Sequence, residues 1–302
     1  MRFNIARSAL GAAVLMGALA ACGGTSSTGE GVAVVATTTQ VGSIAEEIGG
    51  DAIDLTVLLQ PGIEAHDFEI TPAAGAAIEG ADIILTSGAG LETWLDDAIE
   101  TIGGDDRVRD LSEGIELRTS ADGEADPHYW MSAPDAIAMV ENARAALVEA
   151  APDAAEGINE RAAALVGRLE EADGEIRALI DEIPDDRRKV VTDHDALGYF
   201  IEEYGLEFVG SVFPSLDVSS DPSARDIELL VEVIREQNVP AIFAESAVNP
   251  QLAEAVAAET GAAVSAETLY TDSLGAPGSG AETLDGMLLH NARVIHDGLL
   301  GT

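Results

Sequence analysis

Between Pro152 and Pro184 lies the stretch that most limits what this chain can fold into. Ile158, Ala162, Leu165, Leu169, Ala172, Ile176, Leu179 and Ile183 recur at steps of three and four, the stripe of an amphipathic helix. Proline suits the first turn of a helix and stops one that reaches it, so the pattern predicts a single helix over 152–183. About 30 residues rising ~1.5 Å each make a rod of roughly 45 Å, enough to run the length of a two-lobed protein. Gly157, Gly167 and Gly174 fall inside it. Each weakens a helix, so a helix-loop-helix hairpin is the alternative.

On both sides of that rod, short β-branched runs alternate with helical stretches. Before it come Val32 to Thr38, Ile53 to Leu59 and Ala81 to Leu85 as strands, with helices through Ile44 and Ile48, from Thr71-Pro72, and from Pro134 to about Ala150. After it, Val190 to Thr192, Leu206 to Val212 and Ala241 to Ala244 read as strands. Ala196 to Glu203, Ser223 to Gln237, Gln251 to Thr260 and Gly280 to Leu300 read as helices. Near-continuous apolar strands alternating with helices imply parallel sheets covered on both faces. The expected fold is α/β: two lobes, 32–151 and 184–302, each with a mainly parallel sheet flanked by helices and joined by the long helix. A chain of 302 residues accommodates two such domains.

The N-terminus is an address rather than part of the fold. Arg2 and Arg7 precede the uncharged apolar stretch Ala9 to Ala21, too short to span a bilayer but suited to a signal peptide over 1–21. It ends in Leu19-Ala20-Ala21-Cys22-Gly23, which resembles a bacterial lipobox and implies a lipid on Cys22. Residues 22–31, rich in Gly, Ser and Thr, then form a flexible tether. The mature chain is expected on the extracytoplasmic face of the cell membrane, held by its lipid and not spanning. Cys22 is the sole cysteine, which rules out an intramolecular disulfide and a thiolate metal site.

With 55 acidic residues against 15 basic ones the formal charge is -40, which disfavours a nucleic-acid partner, because phosphate contacts need clustered Lys and Arg. The acidic coat suits solubility or a salty medium and identifies no site.

Five histidines are present. His66, His128 and His194 each lie beside a strand end or in the loop next to one, where binding groups of open α/β sheets gather. His290 and His296 stand six apart in the last helix, on different faces, and read as surface or helix-end residues. Three imidazoles with a carboxylate make a plausible first-row metal set. The gaps are long, though, and no local motif exists, so spacing alone leaves scattered structural histidines equally open.

The words around the histidines carry more. Pro61-Gly62-Ile63-Glu64-Ala65-His66-Asp67-Phe68-Glu69-Ile70-Thr71-Pro72, Asp126-Pro127-His128-Tyr129-Trp130, Asp193-His194-Asp195-Ala196-Leu197-Gly198-Tyr199-Phe200 and Tyr270-Thr271-Asp272-Ser273-Leu274-Gly275 resemble, in order, the four ligand loops of zinc- and manganese-binding proteins of ABC importers. Phe243-Ala244-Glu245-Ser246 and Met287-Leu288-Leu289-His290-Asn291 fit the same family. The resemblance implies one Zn2+ or Mn2+ ion held by His66 and His128 from the first lobe and His194 and Asp272 from the second. It also implies a stiff connecting helix with modest lobe motion, delivery to an ABC permease, and a monomer without enzymatic activity. His194 at the third position points to zinc, and a bidentate Asp272 would suit manganese. Asp67, Asp193 and Asp195 are either partners of the ligand histidines or, more in keeping with so acidic a chain, exposed loop acids. A metal-containing surface adhesin, a zinc hydrolase and a siderophore receptor are the competing functions.

Overall fold

Residues 31–66, 68–120, 123–216 and 221–301 are described by the computed structural model; the signal peptide, Cys22, Asp67 and all but the last residue of the tether lie outside them. The first sheet comprises β1 (Val32–Ala36), β2 (Ile53–Val57), β3 (Ile83–Thr86) and β4 (Val108–Asp110), all parallel, in the order β2-β1-β3-β4. The helices α1 (Thr39–Gly49), α2 (Pro72–Gly80) and α3 (Thr93–Ile102) connect them. The second sheet repeats the arrangement with β5 (Lys189–Thr192), β6 (Glu207–Ser211), β7 (Ala241–Phe243) and β8 (Ala263–Val264) in the order β6-β5-β7-β8. Its helices are α6 (Gly198–Tyr204), α7 (Ala224–Gln237) and α8 (Gln251–Thr260), and α9 (Leu284–Leu300) closes the chain.

Burial follows the position of each strand. Every residue of β3 is buried, whereas β2, at the sheet edge, alternates between half-buried and exposed residues, as central and edge strands should. Side-chain oxygens start several of the helices. Thr38, Thr71 and Ser132 accept the N–H three residues on, and Ser223 and Asp226 form a reciprocal capping box. Each such cap is worth about 1 kcal/mol.

Two helices lie between the sheets in sequence, α4 (Ala133–Ala150) and α5 (Ala155–Asp181). Pro152–Ala154 forms a separate 3-10 turn, so α5 starts three residues later than its prolines suggest. It then runs unbroken for 27 residues through all three glycines, and the hairpin does not form. Its buried stripe is Ile158, Ala162, Leu165, Leu169, Ala172, Ile176 and Ile180. That face meets α1 and α4 on the first-sheet side and α9 on the other. One apolar cluster accordingly includes Val34, Ile44 and Leu85 from the first half and Phe243, Leu288 and Ile295 from the second. At ~1.5–3 kcal/mol per fully buried large aliphatic side chain, this shared core holds the halves in register.

In both sheets the connections leave the first strand in opposite directions, toward β2 and β3 or toward β6 and β7. A crevice forms at the carboxyl ends of strands where the order reverses in this way. Thr37, Thr38 and Ser87 follow β1 and β3, and Asp193, His194 and Glu245 follow β5 and β7. Among the described residues no helix is long and apolar enough to cross a membrane.

Candidate metal centre

The donor atoms of the four predicted ligands form a contiguous chain. His66 Nε2 lies 3.3 Å from His128 Nε2, which lies 3.1 Å from Asp272 Oδ1. The other oxygen of Asp272, Oδ2, is 3.3 Å from His194 Nε2. Two donors ~2.0–2.1 Å from one tetrahedral ion are about 3.4 Å apart, so each neighbouring pair has the spacing that sharing an ion requires. His66, His128 and Asp272 all keep their donor atoms within 4.8 Å of one another. His194 joins through Asp272, its ring 5.5 Å from that of His128.

His128, His194 and Asp272 are buried, and His66, on the loop after β2, is half-buried. A carboxylate bonds the second ring nitrogen of His128, and another lies beside that of His194 without an aligned hydrogen bond. Asp126 Oδ1 sits 2.8 Å from His128 Nδ1 and also accepts the His128 N–H at 3.0 Å. Glu245 Oε2 lies 2.8 Å from His194 Nδ1, while its Oε1 accepts the His194 N–H at 2.9 Å. Such partners orient an imidazole and leave Nε2 facing the ion. Burial pushes the His128 imidazolium toward neutrality, but Asp126 and Asp272 outweigh it and hold the group up at about 9. The same contest, with Glu245 and Asp272 opposing burial, leaves His194 well above the usual imidazole range. Burial would raise Asp272, yet His194 and His128 together hold it well below the carboxylate range. His194 Nε2 and Asp272 Oδ2 face each other without an aligned hydrogen bond. A buried polar atom left that way is costly, and a shared cation would satisfy both.

The loop carrying Asp272 is gripped from the first half. Gln40 Nε2 and Trp130 Nε1 both donate to the Thr271 carbonyl at 3.0 Å. Thr39 Oγ1 accepts the Leu274 N–H at 2.8 Å, and Ser273 Oγ accepts the Gly62 N–H at 2.9 Å. Glu245 ties this loop to His194 by accepting the Thr271 hydroxyl at 2.6 Å.

Some residues sit differently from expectation. Asp193 is fully buried rather than an exposed loop acid, because its Oδ2 accepts the Glu245 N–H at 2.8 Å. Burial and the adjacent Glu245 raise its carboxyl to about 7. Asp195 is half-buried, and burial together with Asp126 raises it as well. His290 and His296 stay outside the cluster, half-buried on α9: His290 packs on Tyr270, and His296 stands beside Glu182 and Asp297. Asp126 and Glu245 were not picked out by residue-level reasoning. The available signal was an acid two residues before His128 and another two residues after the apolar strand β7.

The family profile described as "Zinc-uptake complex component A periplasmic" matches residues 34–298. A manganese-binding lipoprotein, MntA, of Halalkalibacterium halodurans is 33% identical over 285 residues, covering 93% of this chain and 94% of that one. The iron-binding protein YfeA of Yersinia pestis is 33% identical over 245 residues, covering 80% and 78%. Among solved structures, the periplasmic zinc-binding protein TroA of Treponema pallidum superposes with a TM-score of 0.83 at 27% identity, covering 88% of this chain and 98% of that one.

Proposed function

The chain belongs to the periplasmic zinc-uptake component A family, and from that premise we propose that it takes one divalent ion, zinc in preference to manganese, between its two lobes. At the coarser level it is the metal-binding subunit of an ABC importer and not an enzyme. The ligands we assign are His66, His128, His194 and Asp272. The supporting observation is the contiguous run of donors from His66 to His194, with neighbours 3.1 to 3.3 Å apart. Three neutral imidazoles and one carboxylate favour zinc, since nitrogen donors bind it more strongly than manganese. Both oxygens of Asp272 face histidine donors, the feature that supports the manganese reading, because a bidentate carboxylate raises the coordination number. The relatives are named for manganese, iron and zinc.

The ion is cargo. Residues 32–151 and 184–302 act as the lobes, residues 152–183 join them, and a cognate permease receives the ion. Relatives named as lipoproteins support lipid attachment at Cys22 and an extracytoplasmic, membrane-anchored chain, which we take to act as a monomer. His66→Ala, His128→Ala, His194→Ala and Asp272→Ala should each weaken zinc binding by at least about 100-fold, since loss of a ligand costs more than loss of an outer partner. Circular dichroism of each variant should match the parent. Wild-type affinity in any two would overturn the assignment.

A further inference from the structure

We propose that Arg118 is a positioning residue of the metal centre, gripping His128 through Asp126 and linking that grip to α6 of the second half. This rests on the assignment of His128 as a ligand. The two oxygens of Asp126 divide their work: Oδ1 serves His128, and Oδ2 accepts the Arg118 guanidinium at 2.9 Å. The Asp126 N–H also returns to the Arg118 carbonyl at 2.9 Å, so the pair closes on itself and the Asp126 side chain is 2% exposed. A buried carboxylate left without its cation would be free to turn away from His128.

The same guanidinium reaches across to α6. Arg118 Nε donates to Glu202 Oε2 at 3.0 Å, and the Arg118 N–H donates to the Tyr199 hydroxyl at 2.8 Å. Tyr199 in turn donates to the Asp126 carbonyl at 2.8 Å, and the guanidinium lies over its ring, 5.5 Å from the centroid. Gly198, the first residue of α6, makes room for this. A Cβ there would come within 1.4 Å of Arg118 Nη1 and 3.0 Å of Asp126 Oδ2. Its backbone is helical, so glycine is kept for the space and not for the conformation. Seating of α6 and orientation of His128 are therefore one arrangement.

The test uses the metal-stripped mature chain, titrated with Zn2+ against a chelator and, separately, with Co2+ as a spectroscopic probe. Arg118→Ala should weaken zinc binding about 10–100-fold, the usual cost of losing an outer partner, and should shift the visible Co2+ bands. Arg118→Lys should recover part of the loss, because an ammonium can meet Asp126 but lacks the fork that also holds Glu202. Gly198→Ala should weaken binding in the same direction, because its Cβ would push the guanidinium off Asp126. A purely structural arginine would lower the melting temperature of the metal-free protein and leave affinity and Co2+ bands as in the parent. That result, with His128→Ala still losing zinc, would overturn the proposal. If His128→Ala itself binds like the parent, the ligand assignment fails, and the proposal falls with it.

Discussion

His128 is held at both ring nitrogens by carboxylates, Asp126 on one side and Asp272 on the other, and this double contact gives the metal-free site a definite pH dependence. Its imidazolium is raised from the usual 6.5 to about 9, because the two carboxylates outweigh burial. A raised pKa stabilises the folded state fully below pH 6.5 and loses that contribution as pH climbs through 9. With His128 as a proposed ligand, binding requires the neutral ring and expels the proton, so the loaded protein gains where the metal-free protein loses. The melting temperatures of zinc-loaded and metal-free protein should thus draw apart between pH 6.5 and 9. A difference that stays constant or shrinks over that window would contradict the electrostatics of the site. Zinc binding should also release protons over the same range, which calorimetry in buffers of different ionisation enthalpy measures directly.

Among the elements, α5 was the most legible: six of the eight apolar residues picked at helical spacing form its buried stripe across three glycines, while Ile180 takes the place of Leu179 and Ile183 lies past the helix end. Two of those glycines offer a test of the rod. A methyl group added at Gly167 or Gly174 would meet nothing within 4 Å, so alanine there should stabilise the fold by about 0.5–1 kcal/mol each. Denaturant unfolding reads this, and a loss of stability would mean that the helix needs local give. The strand–helix alternation was legible for the same reason, since apolar runs and caps announce themselves. Between Leu85 and Leu111 the reading lapsed: α3 follows the turn at Gly88, Ala89 and Gly90, with Ala89 at φ 53, and β4 is three residues long. The two-residue β8 has no period to detect. The four candidate ligands stood out only through the words around them, because gaps of sixty-odd residues carry no local signal. What stayed hidden was burial of acids. Nothing in the order of residues says that Asp193 turns inward to the Glu245 amide, or that Arg118 closes on Asp126 across the loop.

At the scale of the whole molecule the balance of charge dominates. A formal charge of -40 makes the compact state repel itself, and mobile ions screen that repulsion over ~10 Å at 0.1 M salt and ~3 Å at 1 M. The melting temperature should therefore rise as sodium chloride increases from ~0.1 to ~1 M, and a fall would mean that the ion pairs outweigh the repulsion. Against this acidic background, capture of a single ion has to come from geometry: two sheets of one topology, set by a shared core, bring their strand ends together so that donors from both halves meet. Competition calorimetry of the metal-stripped mature chain with zinc and manganese tests that claim most directly. The account predicts one zinc per chain, not displaced by manganese and lost in His194→Ala. A chain that binds neither ion, or that binds zinc equally well without His194, would contradict it.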